Sequence, residues 1–394
     1  MGNGSKPGAD PAERKLELTR RRFLYLAGAG VVGAACAPTA APSPASPNPT
    51  TPGAAATVPA YASEPVTLTF FHYAGSNQEI VPKEVIDRYM KDNPHVKVET
   101  AQGSNAATFP GIVAAYKTTG KPTANAGYFN PDASTKGDLE NIWMNLDLDR
   151  IPNAKNIAPG FRRPNNLGIG WGMSPLGIGY RKDRISPAPS SWLDLLDPKY
   201  KGRVGLPDAP LAFTFGGMIV VNRILGGTEK DMSRGFKAFS DAAKAGQFHS
   251  VFPGNQALKD LMVKGEVNLV GYSYGNLAPW RKEGVPIDYV VPKEGQVAFP
   301  LYFQILKGST PAQVYHSEQI INRLLAPETL ARYAELVLIA PANPQVPLPA
   351  DLAQDPAFAK ANIEKAIQID WTTVAESTTD WLAQWNRDVK ANLR

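Results

Sequence analysis

The chain has 394 residues, 43% of them hydrophobic, so it can bury a sizeable core as two domains or one large one. Its formal charge of +5 is concentrated at the start: the first 35 residues hold six Lys/Arg and three Asp/Glu, which leaves 35 basic against 33 acidic residues, or +2, in the rest. That balance, with no basic stretch interleaved with aromatics, argues against nucleic acid as a partner, and the single cysteine, Cys36, excludes an intrachain disulfide and any multi-cysteine metal or cluster site.

Residues 1–35 read as a targeting segment. Thr19-Arg20-Arg21-Arg22-Phe23-Leu24 matches the twin-arginine export pattern and precedes an apolar run from Phe23 to Ala35. That run is shorter than the roughly 20 residues a bilayer span needs and suits a signal peptide. Gly28-Ala29-Gly30-Val31-Val32-Gly33 formally fits a dinucleotide fingerprint, but it lacks the preceding strand and surrounding βαβ unit. Cys36 follows Gly33-Ala34-Ala35, which looks like a lipoprotein processing site with Gly33 where Leu is usual. The expectation is an exported protein, periplasmic or at the cell surface, anchored to the membrane through lipidated Cys36. Residues 36–65, rich in Ala, Pro, Ser and Thr, read as a disordered tether.

From Val66 the pattern alternates. Strands are predicted at Val66–Tyr73, Val96–Thr100 and Ala124–Phe129, with helices between them over Ile80–Met90 and Phe109–Thr118. This alternation means βαβ units and a mainly parallel sheet. The loops after these strands supply the neutral hydrogen-bonding groups of Tyr73, Ser76, Asn77, Ser104, Asn105 and Asn130. Gly168–Met173 and Leu176–Tyr180 read as two short strands joined by a tight turn. Ser190-Ser191-Trp192-Leu193-Asp194-Leu195-Leu196-Asp197-Pro198-Lys199-Tyr200-Lys201-Gly202 reads as a capped single helical turn feeding a strand at Val204–Leu206. Further helices are expected at Leu211–Leu225, Asp231–Ala245, Gln256–Lys264, Val314–Leu325 and Glu328–Val337. Trp371, Trp381, Trp385 and Leu393 suggest a packed C-terminal helix.

The stretch from Gly265 to Lys307 is the most informative. Val267–Val270 is a short apolar run with the marks of a buried strand. Tyr272, Ser273, Tyr274 and Asn276 then lie at its carboxyl end, where α/β sheets bind ligands; Asn276 could cap the following helix and Gly284 end it. Together, the Ser190–Gly202 segment, the Gly265-Glu266-Val267-Asn268 lead-in and Gly284-Val285-Pro286-Ile287-Asp288-Tyr289-Val290-Val291-Pro292-Lys293-Glu294-Gly295 resemble the extracellular solute-binding proteins of ABC importers. The branch resembled is the spermidine/putrescine-binding type, with its ferric-iron and thiamine relatives.

That resemblance implies an α/β, two-lobed periplasmic-binding (type II) fold, with two mainly parallel sheets flanked by helices and a hinge. The first lobe would comprise 66–172 plus 299–342 and the second 173–298 plus 343–394. It implies binding without catalysis, no cofactor, a small-molecule solute and an ABC permease as partners, and a monomer. In the polyamine branch the strand after Pro-Lys-Glu-Gly carries an aromatic residue and, two positions on, an acid; here those places hold Phe299 and Leu301. The candidate ligand-binding residues are Tyr73, Asn77, Asn105, Asn130, Trp171, Asp208, Tyr272, Tyr274, Phe299 and Tyr302, with Asp208 the one carboxylate. One carboxylate leaves a dication undercompensated, so the expected solute has at most one positive charge; zwitterions and organic anions remain open beside polyamines.

Two alternatives stand beside this reading. Gly271-Tyr272-Ser273-Tyr274-Gly275 fits the nucleophile elbow of a serine hydrolase built on Ser273. Tyr272 and Tyr274 could serve as phenolate ligands to ferric iron. The four histidines, His72, His95, His249 and His316, are isolated from one another in sequence.

Overall fold

The computed structural model describes residues 59–75 and 77–393. The export signal, Cys36, the tether up to residue 58 and Ser76 lie outside the described residues. The strands are β1 (Val66–Tyr73), β2 (Val96–Gly103), β3 (Ala126–Phe129), β4 (Ile169–Met173), β5 (Leu176–Arg181), β6 (Val204–Pro207), β7 (Phe248–Phe252), β8 (Leu269–Ser273), β9 (Ile287–Val290), β10 (Pro300–Ile305) and β11 (Ala340–Pro341). The helices are α1 (Ile80–Asp92), α2 (Asn105–Thr119), α3 (Pro131–Leu139), α4 (Ala212–Ile224), α5 (Ser233–Lys244), α6 (Asn255–Lys264), α7 (Tyr274–Lys282), α8 (Pro311–Leu324), α9 (Pro327–Leu336), α10 (Ala350–Ala353), α11 (Lys360–Glu364) and α12 (Trp371–Gln384).

Two sheets organise the body, one ordered β11-β4-β10-β3-β1-β2 and the other β7-β6-β8-β5-β9. Both are mixed, where mainly parallel sheets were expected. β1 pairs in parallel with β2 and β3, and β6 with β7 and β8, through helical crossovers. β10, β4 and β11, and β5 with β8 and β9, run antiparallel. The physical reason lies in the connections: β4 to β5 and β9 to β10 pass directly between the sheets, and a strand arriving without a crossover helix enters against its neighbours. For the same reason β4 and β5 do not pair as a hairpin, and Ser174-Pro175 between them is a passage from one sheet to the other.

Each sheet has its own core. Leu68, Phe70, Tyr128, Trp171 and Phe303 pack with Val85, Ile86 and Tyr89 of α1 and Ile320, Ile321 and Leu324 of α8. Leu176, Ile178, Val204 and Leu269 pack with Phe215, Met218 and Ile219 of α4, Phe236 and Phe239 of α5 and Trp381 of α12. Each such side chain contributes roughly 1.5–3 kcal/mol on burial. Local chemistry sets the ends: Thr310 and Gln313 form a capping box on α8, and Gly265 ends α6 at φ 74°. The expected tether stops short of Val66. Ala60–Ser63 forms a helical turn docked on the body, where the His95 ring donates to the Ala62 carbonyl at 2.9 Å and Tyr61 meets Tyr315 edge-on.

Candidate functional site

A cavity of about 730 Å³ opens at the carboxyl ends of strands from both sheets. One side is built from Tyr73 at the end of β1, Ser104-Asn105 entering α2 and Asn130 entering α3. The other side is built from Leu211–Phe213 entering α4, Gly254–Gln256 entering α6, Tyr272 and Ser273 ending β8, and Gly275 and Asn276 in the first turn of α7. Ser174 of the passage, with Phe299 and Leu301 at the start of β10, also lines it. Asn105 holds the first side together: its Oδ1 accepts from the Tyr73 hydroxyl and the Asn130 amide, both at 2.8 Å, and its Nδ2 donates to the Tyr128 carbonyl at 3.1 Å. On the second side the Tyr272 hydroxyl donates to Asn255 Oδ1 at 2.6 Å, and Phe213 meets both Tyr272 and Phe299 at ring distances of 4.8 and 5.2 Å.

The structure thus gathers Tyr73, Asn77, Asn105, Asn130, Tyr272 and Phe299 around one cavity and leaves four expected residues outside it. Trp171 is fully buried against Tyr128, Phe303 and Tyr333 in the first core. Asp208 pairs with Lys390 at 2.6 Å and accepts from Trp385 Nε1 at 3.4 Å, so the C-terminal segment occupies the one carboxylate expected for the ligand. Tyr274 turns away to donate to Asp355 at 2.7 Å beneath the Arg281 guanidinium. Tyr302 lies under the Arg163 guanidinium, 5.1 Å from ring centre. Asn276, expected to cap α7, sits inside it; Ser273 is the N-cap residue and makes no side-chain cap bond. Asn255, Phe213, Ser174 and Asn276 were not named as ligand residues, although each sits at a strand end or helix start, the position that signals a site.

The charged side chains among the described lining residues are Asp132, Lys259 and Glu283. Asp132 pairs with Lys136 at 3.0 Å, and Lys259 pairs with Glu283. Burial pushes the Asp132 carboxyl above its ordinary range, and Lys136 offsets part of that. Among the described lining residues, both carboxylates are therefore already paired with a lysine.

The hydrolase geometry does not form. Ser273 Oγ lies 2.6 Å from Ser174 Oγ. The imidazoles of His72, His95, His249 and His316 bond instead to the Tyr73 carbonyl, the Ala62 carbonyl, Ser250 and Tyr89. The phenolate pair does not form either. Tyr272 and Tyr274 donate to different carbonyl or carboxylate oxygens in different clusters, and burial holds both phenols well above their ordinary range, in the protonated state.

Comparison with known proteins agrees with this architecture. The spermidine/putrescine-binding periplasmic protein of Escherichia coli K12 is 26% identical over 296 residues, covering 71% of this chain and 78% of that protein. A Salmonella typhi protein provisionally named as 2-aminoethylphosphonate-binding is 26% identical over 274 residues, covering 68% and 76%. The crystal structure of the periplasmic binding protein AgtB from A. tumefaciens R10, in complex with agropinic acid, superposes with a TM-score of 0.66 at 23% identity, covering 82% of this chain and 98% of that one. A family model described as bacterial extracellular solute-binding protein matches residues 84–360, and the chain belongs to that family.

Proposed function

We propose that the protein captures a small solute in the cavity between its two sheets and delivers it to an ABC permease, by binding and without covalent chemistry. The observation that carries this reading is the cavity itself: strand ends of both sheets face it, and Ser174 of the passage between the sheets lines it. Such a layout lets two lobes close on a ligand about a hinge. The lobes of this reading are 66–172 plus 299–342 and 173–298 plus 343–394, and each strand falls in the lobe of its own sheet except for Met173, the last residue of β4.

The solute carries at most one positive charge. A dication would meet two carboxylates, Asp132 and Glu283, each already paired with a lysine, and burying an uncompensated ammonium costs several kcal/mol. A zwitterion or organic anion fits the neutral donors of the cavity. Polyamine is the second reading, favoured by the name of the Escherichia coli relative. Isothermal calorimetry with spermidine, putrescine, amino acids, organic acids, phosphonates, thiamine and ferric iron decides among them. Micromolar binding of putrescine would overturn the charge assignment. Silence across the whole panel, with no ligand-dependent compaction in small-angle scattering, would overturn solute capture.

Export through the twin-arginine route, a membrane anchor at lipidated Cys36 and a monomeric body complete the reading. Mass spectrometry of the mature protein tests the anchor: a free amino terminus at a residue other than Cys36 removes it.

A further inference from the structure

The floor of the cavity holds two hydroxyls and an amide whose hydrogen bonds do not close. Ser174 and Ser273 are 5% and 2% exposed, and their Oγ atoms are 2.6 Å apart. The Gly275 N–H donates to Ser174 Oγ at 3.1 Å. Two hydroxyls carry two protons, and a single bond between them consumes one. Whichever serine donates, the second proton has no acceptor among the described residues, and both serines line the cavity. With Gly275 feeding Ser174, the connected order runs from the Gly275 N–H through Ser174 to Ser273, whose proton is then the free one. Asn276 follows three residues after Ser273, on the same face of the first turn of α7. It lines the cavity at 5% exposure, and its Oδ1 is enclosed without a donor, which leaves the amide nitrogen as the end an occupant can reach.

We propose that Ser273 and Asn276 form a donor subsite for an oxygen anion of the solute, and that Ser174 orients it from the passage between the sheets. The proposal rests on the reading of the cavity as a solute site and names the chemistry of one end of that solute: a carboxylate or another oxyanion, with any ammonium at the far end. It also gives Ser273 a role other than the nucleophile its sequence surroundings suggested. Ser174 belongs to the passage and its backbone N–H donates to the Phe299 carbonyl at 3.2 Å, in the second passage, so the subsite is fastened to two of the three connections between the proposed lobes.

A matched pair of probes tests this. Putrescine and 4-aminobutyrate share a four-carbon chain and one ammonium, and differ in whether the other end is an ammonium or a carboxylate. Calorimetry on the full chain is expected to show 4-aminobutyrate binding more tightly than putrescine. Ser273→Ala is expected to weaken 4-aminobutyrate by about tenfold or more, the scale of a hydrogen bond to a charged group. Asn276→Asp, of the same size, is expected to weaken it further, because it replaces a donor with a like charge. Ser273→Ala should keep a melting temperature close to wild type in the absence of ligand, Asn276→Asp should lower it because it places a carboxylate at a buried position, and Ser174→Ala should give a smaller loss of affinity. Equal 4-aminobutyrate affinity in wild type and Ser273→Ala overturns the subsite. So does putrescine binding that Asn276→Asp tightens, although solute capture then stands. Binding of neither probe by the wild type also overturns the subsite, and solute capture falls with it only if the wider solute panel is silent too.

Discussion

Ser191 Oγ donates to Glu294 Oε1 at 2.6 Å across 103 residues of sequence. The other carboxylate oxygen accepts from the Trp192 N–H at 3.2 Å, and the Trp192 indole donates to the Gly295 carbonyl at 2.8 Å. The two segments that carry the family resemblance are therefore one structural unit: the Pro-Lys-Glu-Gly turn caps the Ser-Trp helical turn and fixes Trp192, fully buried, under β8. Removing the carboxylate leaves the Trp192 N–H and the Ser191 hydroxyl without their partner. Glu294→Ala is expected to lower unfolding free energy by about 2–3 kcal/mol in urea denaturation and leave solute affinity within twofold. Unchanged stability would show that this contact holds nothing.

Asp208 gives a second, opposite expectation. Its carboxylate is claimed by Lys390 and Trp385, both near the C-terminus. Asp208→Asn should therefore not change affinity for any solute, and should cost stability on the order of 1 kcal/mol because the ion pair is partly exposed. A tenfold loss of solute affinity measured by calorimetry would return Asp208 to the site.

These two residues show what could be read in the sequence and what could not. The Ser-Trp and Pro-Lys-Glu-Gly segments are local patterns, and local patterns suffice for a cap, a turn and a strand; β1 was legible to the residue for the same reason. Asp208 sits at a strand end, as expected of a ligand residue, but what claims it lies 177 and 182 residues away, and no local pattern carries that distance. Trp171 failed on a different ground. Alternation along β4 separates its two faces without saying which one meets the cavity. Gly170 and Gly172 lie against Phe161 and Ile339, and Trp171 lies against the aromatic core on the other face. β8 was expected at Val267–Val270 and runs Leu269–Ser273, because Tyr272 and Ser273 look polar in sequence yet are buried in the fold.

His316 should give the body a pH-dependent stability. Its ring is buried, bonded to the Tyr89 hydroxyl at 2.6 Å and 5.5 Å from the His95 ring. Burial first, and the neighbouring His95 second, hold its proton affinity below the ordinary value of 6.5; burial does the same to His72. Between the lowered folded value and 6.5 the unfolded chain binds more protons, so this contribution is fully present above 6.5 and is lost as pH falls through that window. Melting temperatures should drop from pH 7.5 to 5.5. His316→Gln should narrow that drop by removing the ring whose protonation the fold opposes. An identical drop in the variant would show that His316 is not responsible.

Gly275 is where the passages meet the helix that lines the cavity. A methyl group added there would lie 2.9 Å from Ser174 Oγ in the first passage, 3.1 Å from the Val337 carbonyl and 3.3 Å from Ile339, which leads into β11. The Ser174 hydroxyl has little room to yield, because it already bonds to Ser273 and accepts from the Gly275 N–H. The expected response is that α7 shifts away from the passage, which lengthens the Gly275–Ser174 bond and displaces Ser273 and Asn276 within the cavity. Gly275→Ala should therefore cost about 1–3 kcal/mol of stability, the range for overpacking a filled site. It should also weaken solute binding beyond what Ser174→Ala does alone, because it moves the whole first turn of α7 and not one hydroxyl. Calorimetry and urea denaturation on the two variants check this together. A Gly275→Ala protein with wild-type affinity and stability would mean that α7 and the passage move independently, and that the floor of the cavity does not report the state of the hinge.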